Sequence, residues 1–269
     1  MATTVLKETI KNYTVKGSNV HTAFLDLSKA FDKINHDVLI SKLIQKGYPA
    51  FFIKILYFMF KNQFVNVSYN DISSSWWKVG NGVRQGGILS PILFNIYIDE
   101  ILETISSMNV GCKLMLIRNN VQGYADDLVL LSPTSAALQV MIDKVMFLIR
   151  KLCLVLNEDK SVYMIFRCKR FKDFNFLPLI KVNDLPLKIV SNYKYLGMEL
   201  SSDLCNKIDI ERCGTSLLKQ FYSIFRRFSF ADTDTLLFLF KTHCISLYGS
   251  EIWLDQKGCS KEYNELAVT

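Results

Sequence analysis

Val121-Gln122-Gly123-Tyr124-Ala125-Asp126-Asp127-Leu128-Val129-Leu130-Leu131 is the stretch on which the reading of this chain turns. It has the makings of a strand, with aromatic and β-branched residues running into an unbroken apolar segment, yet two adjacent carboxylates interrupt it. Asp is a poor strand residue, and two like charges inside an apolar hairpin repel unless a cation or a tight exposed turn accommodates them. Two readings stand at this point: a two-residue hairpin turn, which Asp favours, and a cation site.

Upstream, a second β-rich run from Val20 to Leu27 ends on Asp26 and is followed by Ser28 as a candidate helix cap. If the two strands are neighbours in one sheet, Asp26 meets Asp126 and Asp127 and the three make a hard-cation site. Mg²⁺ prefers oxygen ligands and is commonly held by one or two carboxylates together with substrate phosphates. Two such ions about 4 Å apart activate an attacking hydroxyl and stabilise a leaving pyrophosphate in an in-line displacement.

Between these strands the pattern predicts helices from about Asp37 to Lys46 and, past Gly47 as a stop and Pro49 as a first-turn residue, to about Lys61. Phe64 to Tyr69 and Ser75 to Val79 read as a hairpin around Asn70-Asp71. Gly80-Asn81-Gly82-Val83-Arg84-Gln85-Gly86-Gly87 then leads into Ser90-Pro91, which opens an amphipathic helix through Ile105. Such a loop lets backbone approach a substrate, although a glycine cluster by itself is more often a turn. Leu114 to Ile117 reads as a strand, Ser135 to Leu152 as a helix, and Val162 to Phe166 as a strand. A hairpin around Asn183-Asp184 and a short strand from Tyr195 to Leu200 follow, and the remainder is helical, with Ile208 to Phe230 and Thr235 to Tyr248 as the main segments. These patterns give a mixed α+β core with a helical extension after about Ser201.

With 50% hydrophobic and 21% charged residues the chain is no disordered or low-complexity protein. Its net charge of +7 is uneven: Arg150 to Phe230 holds 15 basic against 8 acidic residues, so this segment accounts for the whole excess. Such a face suits a polyanion, and equally an ordinary solvated surface. Seven widely spaced cysteines without a C-x-x-C pair argue against zinc and against a disulfide framework. The longest apolar stretch, Ala50 to Phe60, is broken by Lys54 and too short for a bilayer, so no membrane partner is expected. No export leader is visible, which makes an intracellular location, nucleus or cytoplasm, the expectation.

Taken in order, Phe24-Leu25-Asp26-Leu27-Ser28-Lys29-Ala30-Phe31-Asp32, Gly82-Val83-Arg84-Gln85-Gly86-Gly87-Ile88-Leu89-Ser90-Pro91 and Tyr124-Ala125-Asp126-Asp127 resemble three catalytic motifs of the reverse transcriptases of non-LTR (LINE-type) retrotransposons. The similarity continues through Leu156-Asn157-Glu158-Asp159-Lys160-Ser161 and Tyr195-Leu196-Gly197. It implies a right-hand polymerase: an antiparallel palm sheet with packed helices, partial fingers and a helical thumb, with fingers and palm in residues 1–200 and the thumb-like region in 201–269. The implied activity is RNA-directed DNA synthesis from a primer 3′-hydroxyl, with an RNA template, a DNA primer and deoxynucleoside triphosphates as partners and two Mg²⁺ ions, replaceable by Mn²⁺, as cofactors.

The resemblance also implies roles. Asp26 and Asp126 would be the main metal ligands, Asp127 the auxiliary one, and the backbone carbonyl of Leu27 would complete a shell. Phe31 would stack under the sugar and exclude a ribose 2′-hydroxyl, whereas without the family it reads as a core aromatic. Gln85 and Gly86 would lie along the incoming nucleotide, Arg84 would touch phosphate, and Lys160 would protonate the leaving pyrophosphate. Tyr195, Leu196 and Gly197 would grip the primer end, near the basic segment. Asp32 reads as structural, capping the following helix.

Three features depart from the family pattern. Only 25 residues precede Asp26, Cys153 stands near where relatives carry Gly, and no endonuclease domain comes before the motifs. Truncated fingers and a fragment of a longer reading frame are therefore expected. The alternative to the polymerase is a catalytically inactive retrotransposon-derived fragment that at most binds RNA.

Overall fold

The computed structural model describes residues 2–168, 178–245, 249, 250 and 253. They form two compact units: Asn12–Val190 with Ala2 makes up the larger, and Thr3–Lys11 with Ser191 onwards the smaller.

The helix α1 (Ala2–Val15) contributes residues to both units, and the larger unit continues through β1 (Val20–Leu27), α2 (His36–Gln45) and α3 (Ala50–Lys61). The short strands β2 (Phe64–Val65), β3 (Ser68–Tyr69), β4 (Ile72–Ser73) and β5 (Trp77–Lys78) pair as β2 with β5 and β3 with β4. Next come α4 (Ser90–Ser107), the small hairpin β6 (Lys113–Leu114) and β7 (Ile117–Arg118), then β8 (Val121–Tyr124) and β9 (Asp127–Ser132). After α5 (Ser135–Lys151) the chain forms β10 (Leu156–Phe166), β11 (Lys181–Val182), β12 (Leu185–Pro186) and β13 (Lys188–Ile189).

Five strands make the central sheet in the order β13-β10-β1-β9-β8, antiparallel except for β10 with β13. β1 is buried along almost its whole length, its apolar residues Val20, Ala23, Phe24, Leu25 and Leu27 together with His21 and Thr22. Ala23, Leu25 and Leu27 share one core with Leu128 and Leu130 of β9, with Phe94, Tyr97 and Ile101 of α4 and with Met141, Ile142 and Val145 of α5. At roughly 1.5–3 kcal/mol for each large apolar side chain removed from water, this core is what presses the helices onto the sheet. Polar links tie the helices to one another: Glu100 of α4 accepts from Lys42 of α2 (2.7 Å) and from Lys151 at the end of α5. The buried Tyr97 hydroxyl accepts from the Asn35 amide (3.3 Å) and donates to the Leu152 carbonyl (2.6 Å).

Several local expectations are corrected. The cap of α2 is Asn35, whose side chain accepts from the Asp37 and Val38 amides, so Asp32 and Ser28 cap nothing there; Asp32 lies in a 3₁₀ turn, Ala30–Lys33. Ser90 is the first residue of α4 rather than its cap, and its hydroxyl instead donates back to the Arg84 carbonyl. Leu114 and Ile117 face each other across a tight hairpin turn instead of sharing one strand. Tyr195 to Leu200 is likewise a hairpin, because Leu196 and Gly197 both take positive φ and reverse the chain. Asn70-Asp71 and Asn183-Asp184 do form the expected turns, all four residues with positive φ.

Cys153 occupies the left-handed residue after α5 (φ 54°), where the Cys153 and Leu154 amides donate to the Arg150 and Ile149 carbonyls. This is a position where a Cβ is disfavoured and glycine is the usual residue.

The smaller unit holds the hairpin β14 (Asn192–Tyr195) and β15 (Met198–Ser201), then α6 (Lys207–Arg227) and α7 (Thr233–His243), the last capped by Asp232. Its centre is Asp209, fully buried with Ile210, Cys213 and Trp253 around it. Of the helical segment expected from Thr235 to Tyr248, α7 covers 235–243, and residues 246–248 lie outside the described set.

Candidate active site

The register of β1 against β9 places Asp26 directly opposite Asp127. Tyr124 pairs with Asp127 across the β8–β9 hairpin, so Ala125 and Asp126 form its two-residue turn, with Ala125 left-handed (φ 51°). The tip folds onto the end of β1, where the Leu27 amide donates to the Asp126 carbonyl (3.2 Å). The turn reading of this segment therefore holds, and the turn brings Asp126 and Asp127 to the end of β1 that carries Asp26. All three carboxylates are half-buried. The acid of Asp127 is pushed up to about 6 by burial first and then by the negative charges of Asp126 and Asp26, with Lys160 acting in the opposite sense.

On its other side Asp26 pairs with Asn157 of β10, while Phe24 pairs with Val162. One residue of β1, Leu25, therefore faces the segment Glu158–Ser161, a bulge that interrupts the ladder beside the carboxylates. Asn157 and Ser161 shape it. The Lys160 amide donates to Asn157 Oδ1 (3.3 Å), Ser161 Oγ donates to the Asn157 carbonyl (2.6 Å), and the Asp26 amide donates to Ser161 Oγ (3.2 Å). Lys160 is exposed at this bulge and close enough to Asp127 to act on its charge. Sequence reading singled out Lys160 but assigned nothing to Asn157 or Ser161. Two turn-forming residues flanking the charged run Glu158-Asp159-Lys160 at the start of an otherwise apolar strand were the available signal.

The glycine-rich loop is anchored at its base and open at its tip. Gly82 and Val83 amides donate to the Ile34 and Phe31 carbonyls (2.8 Å each), and Asn81 bridges to Asn35. A Cβ at Gly82 (φ 89°) would sit 2.8 Å from the Asp32 carbonyl oxygen, so only glycine fits. Arg84, Gln85 and Gly86 are exposed, and Gln85 Nε2 donates to Asp32 Oδ1 (3.3 Å). Phe31 is partly buried and stacked on Phe94, ring centroids 4.8 Å apart. Beside the loop, a largely apolar cavity of about 530 Å³ runs between Phe58, Met59 and Phe64 on one side and Val83, Arg84 and Ile88 on the other. Tyr195, Leu196 and Gly197 form the β14–β15 turn in the smaller unit, with Tyr195 buried and Gly197 exposed.

Among the described residues no group of three or more His, Cys, Asp or Glu side chains is placed to hold a metal ion unaided. The donor set nevertheless suits Mg²⁺, which is ordinarily bound by one or two carboxylates plus substrate phosphates. The acid of Asp127 is raised by burial first and only then by the neighbouring charges of Asp126 and Asp26.

The fold has counterparts among solved structures. The chain resembles Candida albicans telomerase in complex with a TWJ fragment of telomeric RNA, with a TM-score of 0.54 at 14% identity over 99% of this chain and 51% of that one. Candida tropicalis telomerase, in the corresponding complex, gives a TM-score of 0.54 at 12% identity over 97% and 43%. The fold is that of a right-hand polymerase, as the motif order implied.

Residues 2–200 match the family described as reverse transcriptase (RNA-dependent DNA polymerase), and the chain belongs to it. It is 31% identical to the retrovirus-related Pol polyprotein from the type-2 retrotransposable element R2DM of Drosophila melanogaster, over 68% of this chain and 18% of the polyprotein. It is 25% identical to the RNA-directed DNA polymerase from the mobile element jockey of the same species, over 68% and 20%. The chain thus spans about a fifth of the length of these two relatives, both products of mobile elements, in keeping with the non-LTR resemblance. A reverse transcriptase domain generally implies the use of divalent metal ions. No helix among the described residues is long and apolar enough to cross a membrane.

Proposed function

We propose that this chain extends a primer 3′-hydroxyl with deoxynucleotides on an RNA template. The observation that carries the reading is the register pairing of Asp26 with Asp127, with Asp126 folded onto Leu27 at the hairpin tip. Asp26 and Asp126, with Asp127 as auxiliary and the Leu27 carbonyl, would hold two Mg²⁺ ions, for which Mn²⁺ can substitute. Bound there, the ions would lower the cost of forming a nucleophilic 3′-oxygen and of charge on the departing pyrophosphate.

In this reading the primer 3′-oxygen bonds to the α-phosphorus of the incoming nucleotide as the bond to pyrophosphate breaks. Lys160, held out on its bulge, gives a proton to the leaving pyrophosphate. Arg84 meets phosphate at the open tip of the loop, while Gln85 and Gly86 lie along the nucleotide. Phe31, fixed by its stack on Phe94, closes the space under the sugar against a 2′-hydroxyl. The turn Tyr195-Leu196-Gly197 grips the primer end, and the basic segment 150–230 runs along the nucleic-acid backbone. Fingers and palm would occupy 1–200 and the thumb-like region 201–269.

Primer extension on an RNA template with deoxynucleotides and Mg²⁺ tests this, comparing the chain with an Asp126→Asn, Asp127→Asn variant. Product from the native chain and none from the variant is expected. No product from the folded native chain would overturn the reading for this polypeptide.

A further inference from the structure

His36 had no assigned part in the sequence reading. It opens α2 with its ring buried and stacked on Phe60 of α3, centroids 4.2 Å apart and planes within 11°. Its Nε2 lies 2.7 Å from the carbonyl oxygen of Gly82. A carbonyl only accepts, so Nε2 carries the hydrogen and donates. The contact falls at the base of the glycine-rich loop, where four other features converge on the segment Phe31–His36. These are the Gly82 and Val83 amides on Ile34 and Phe31, the Asn35–Asn81 bridge, and the lack of room for a Cβ between Gly82 and Asp32. That same segment is the direct continuation of β1, which carries Asp26.

We infer that His36 is a positioning residue, holding the Gly82 junction so that Arg84, Gln85 and Gly86 stand at a set place relative to Asp26. This rests on the polymerase reading for its consequence, though not for the contact itself. Phe60 fixes the plane of the ring, the ring fixes the Gly82 carbonyl, and the loop leaves that carbonyl on its way to Arg84. At the tip, Gly86 stands in open space, while Gln85 donates to Asp32 Oδ1 and the Arg84 carbonyl accepts from Ser90 Oγ and the Gly87 amide. The position of the tip therefore depends in part on the base, which joins it to the same Phe31–His36 segment. Losing the donor would leave the Gly82 carbonyl without its buried partner and allow the junction to shift, while the aspartates, held by the β1–β9 register, stay in place.

The test uses the full chain with His36→Phe, which keeps a ring on Phe60 and removes the donor, and His36→Gln, which returns an amide N–H near the place of Nε2. Two quantities are read: single-nucleotide extension against deoxynucleotide concentration, and hydrogen exchange of the Gly82–Gly87 amides beside those of Leu128–Leu131. For His36→Phe the nucleotide KM should rise about tenfold with kcat changed less than about threefold, and the Gly82 and Val83 amides should exchange about tenfold faster while the β9 amides keep their protection. His36→Gln should recover most of both effects. Unchanged KM and unchanged loop exchange in His36→Phe would overturn the inference, and so would losses spread equally over the β9 amides that His36→Gln fails to rescue. If the native chain makes no product, the polymerase reading fails and loop exchange alone decides whether His36 holds the junction. Should His36→Phe not fold, Gly82→Ala disturbs the same junction from the other side and must raise KM in the same way.

Discussion

Replacing the buried Asp209 by Ala should strongly destabilise the smaller unit. Both carboxylate oxygens of Asp209 are engaged and the residue is fully buried. Oδ1 accepts from the Glu199 amide of β15 (3.0 Å) and from Arg212 Nε and Nη2 (3.1 and 2.8 Å), and Oδ2 accepts from Trp253 Nε1 (2.9 Å). Arg212 has 32% of its side chain exposed and can turn to water, so its loss is partly recovered. The Glu199 amide and the indole N–H cannot do so, and each buried donor left unpaired costs about 1–3 kcal/mol. Together with the lost charge-assisted bonds this gives about 3–5 kcal/mol, the range for breaking one side of a buried pair. Trp253→Phe, which removes one donor and leaves Oδ2 with one partner fewer, should cost about 1–2 kcal/mol and set the scale. Urea unfolding, with hydrogen exchange along α6 and β15 to locate the effect, measures both. A loss below about 1 kcal/mol for Asp209→Ala would refute the reasoning, because the four bonds would then be dispensable.

The carboxylate site should reveal through pH the cost of holding a buried charge beside two like charges. The Asp127 acid is raised, by burial first and then by the charges of Asp126 and Asp26, so in metal-free buffer the cost of ionising it is absent below about pH 4 and complete above about pH 6. Asp127→Asn should therefore stabilise the chain at pH 8 by about 1 kcal/mol, after allowing for solvent screening at a half-buried site, and have little effect at pH 4. Equal shifts in thermal midpoint at the two pH values would count against it, and the same variant should lose primer extension. At the end of α5, Cys153→Gly relieves a left-handed residue of its Cβ (φ 54°) at the cost of a more flexible unfolded chain, for a net gain of about 0.5 kcal/mol. Cys153→Ala should give no such gain, and a lower urea midpoint for the glycine variant would show that the exposed thiol contributes contacts of its own.

The strands that carry the aspartates were legible in the sequence because their signals are local. Val20 to Leu27 and Leu128 to Leu131 are apolar runs, Asn70-Asp71 and Asn183-Asp184 are turn dipeptides, and the ordered motifs around Asp26, Gly82–Pro91 and Asp126-Asp127 identify a polymerase. Misread were the places where a local pattern competes with tertiary demand. Tyr195 to Leu200 has strand-forming residues but folds back on itself, and Asn35 rather than Asp32 or Ser28 caps α2. Only the tertiary structure decided which residues meet: the register that sets Asp26 against Asp127, the bulge that holds Lys160 out, the ring of His36 on Gly82, and the burial of Asp209 among four donors. The physical reason is range. Backbone propensity and hydrophobic period act over a few residues, whereas most of these contacts join segments tens of residues apart, and their partners are chosen by the packing of the core that brings those segments together.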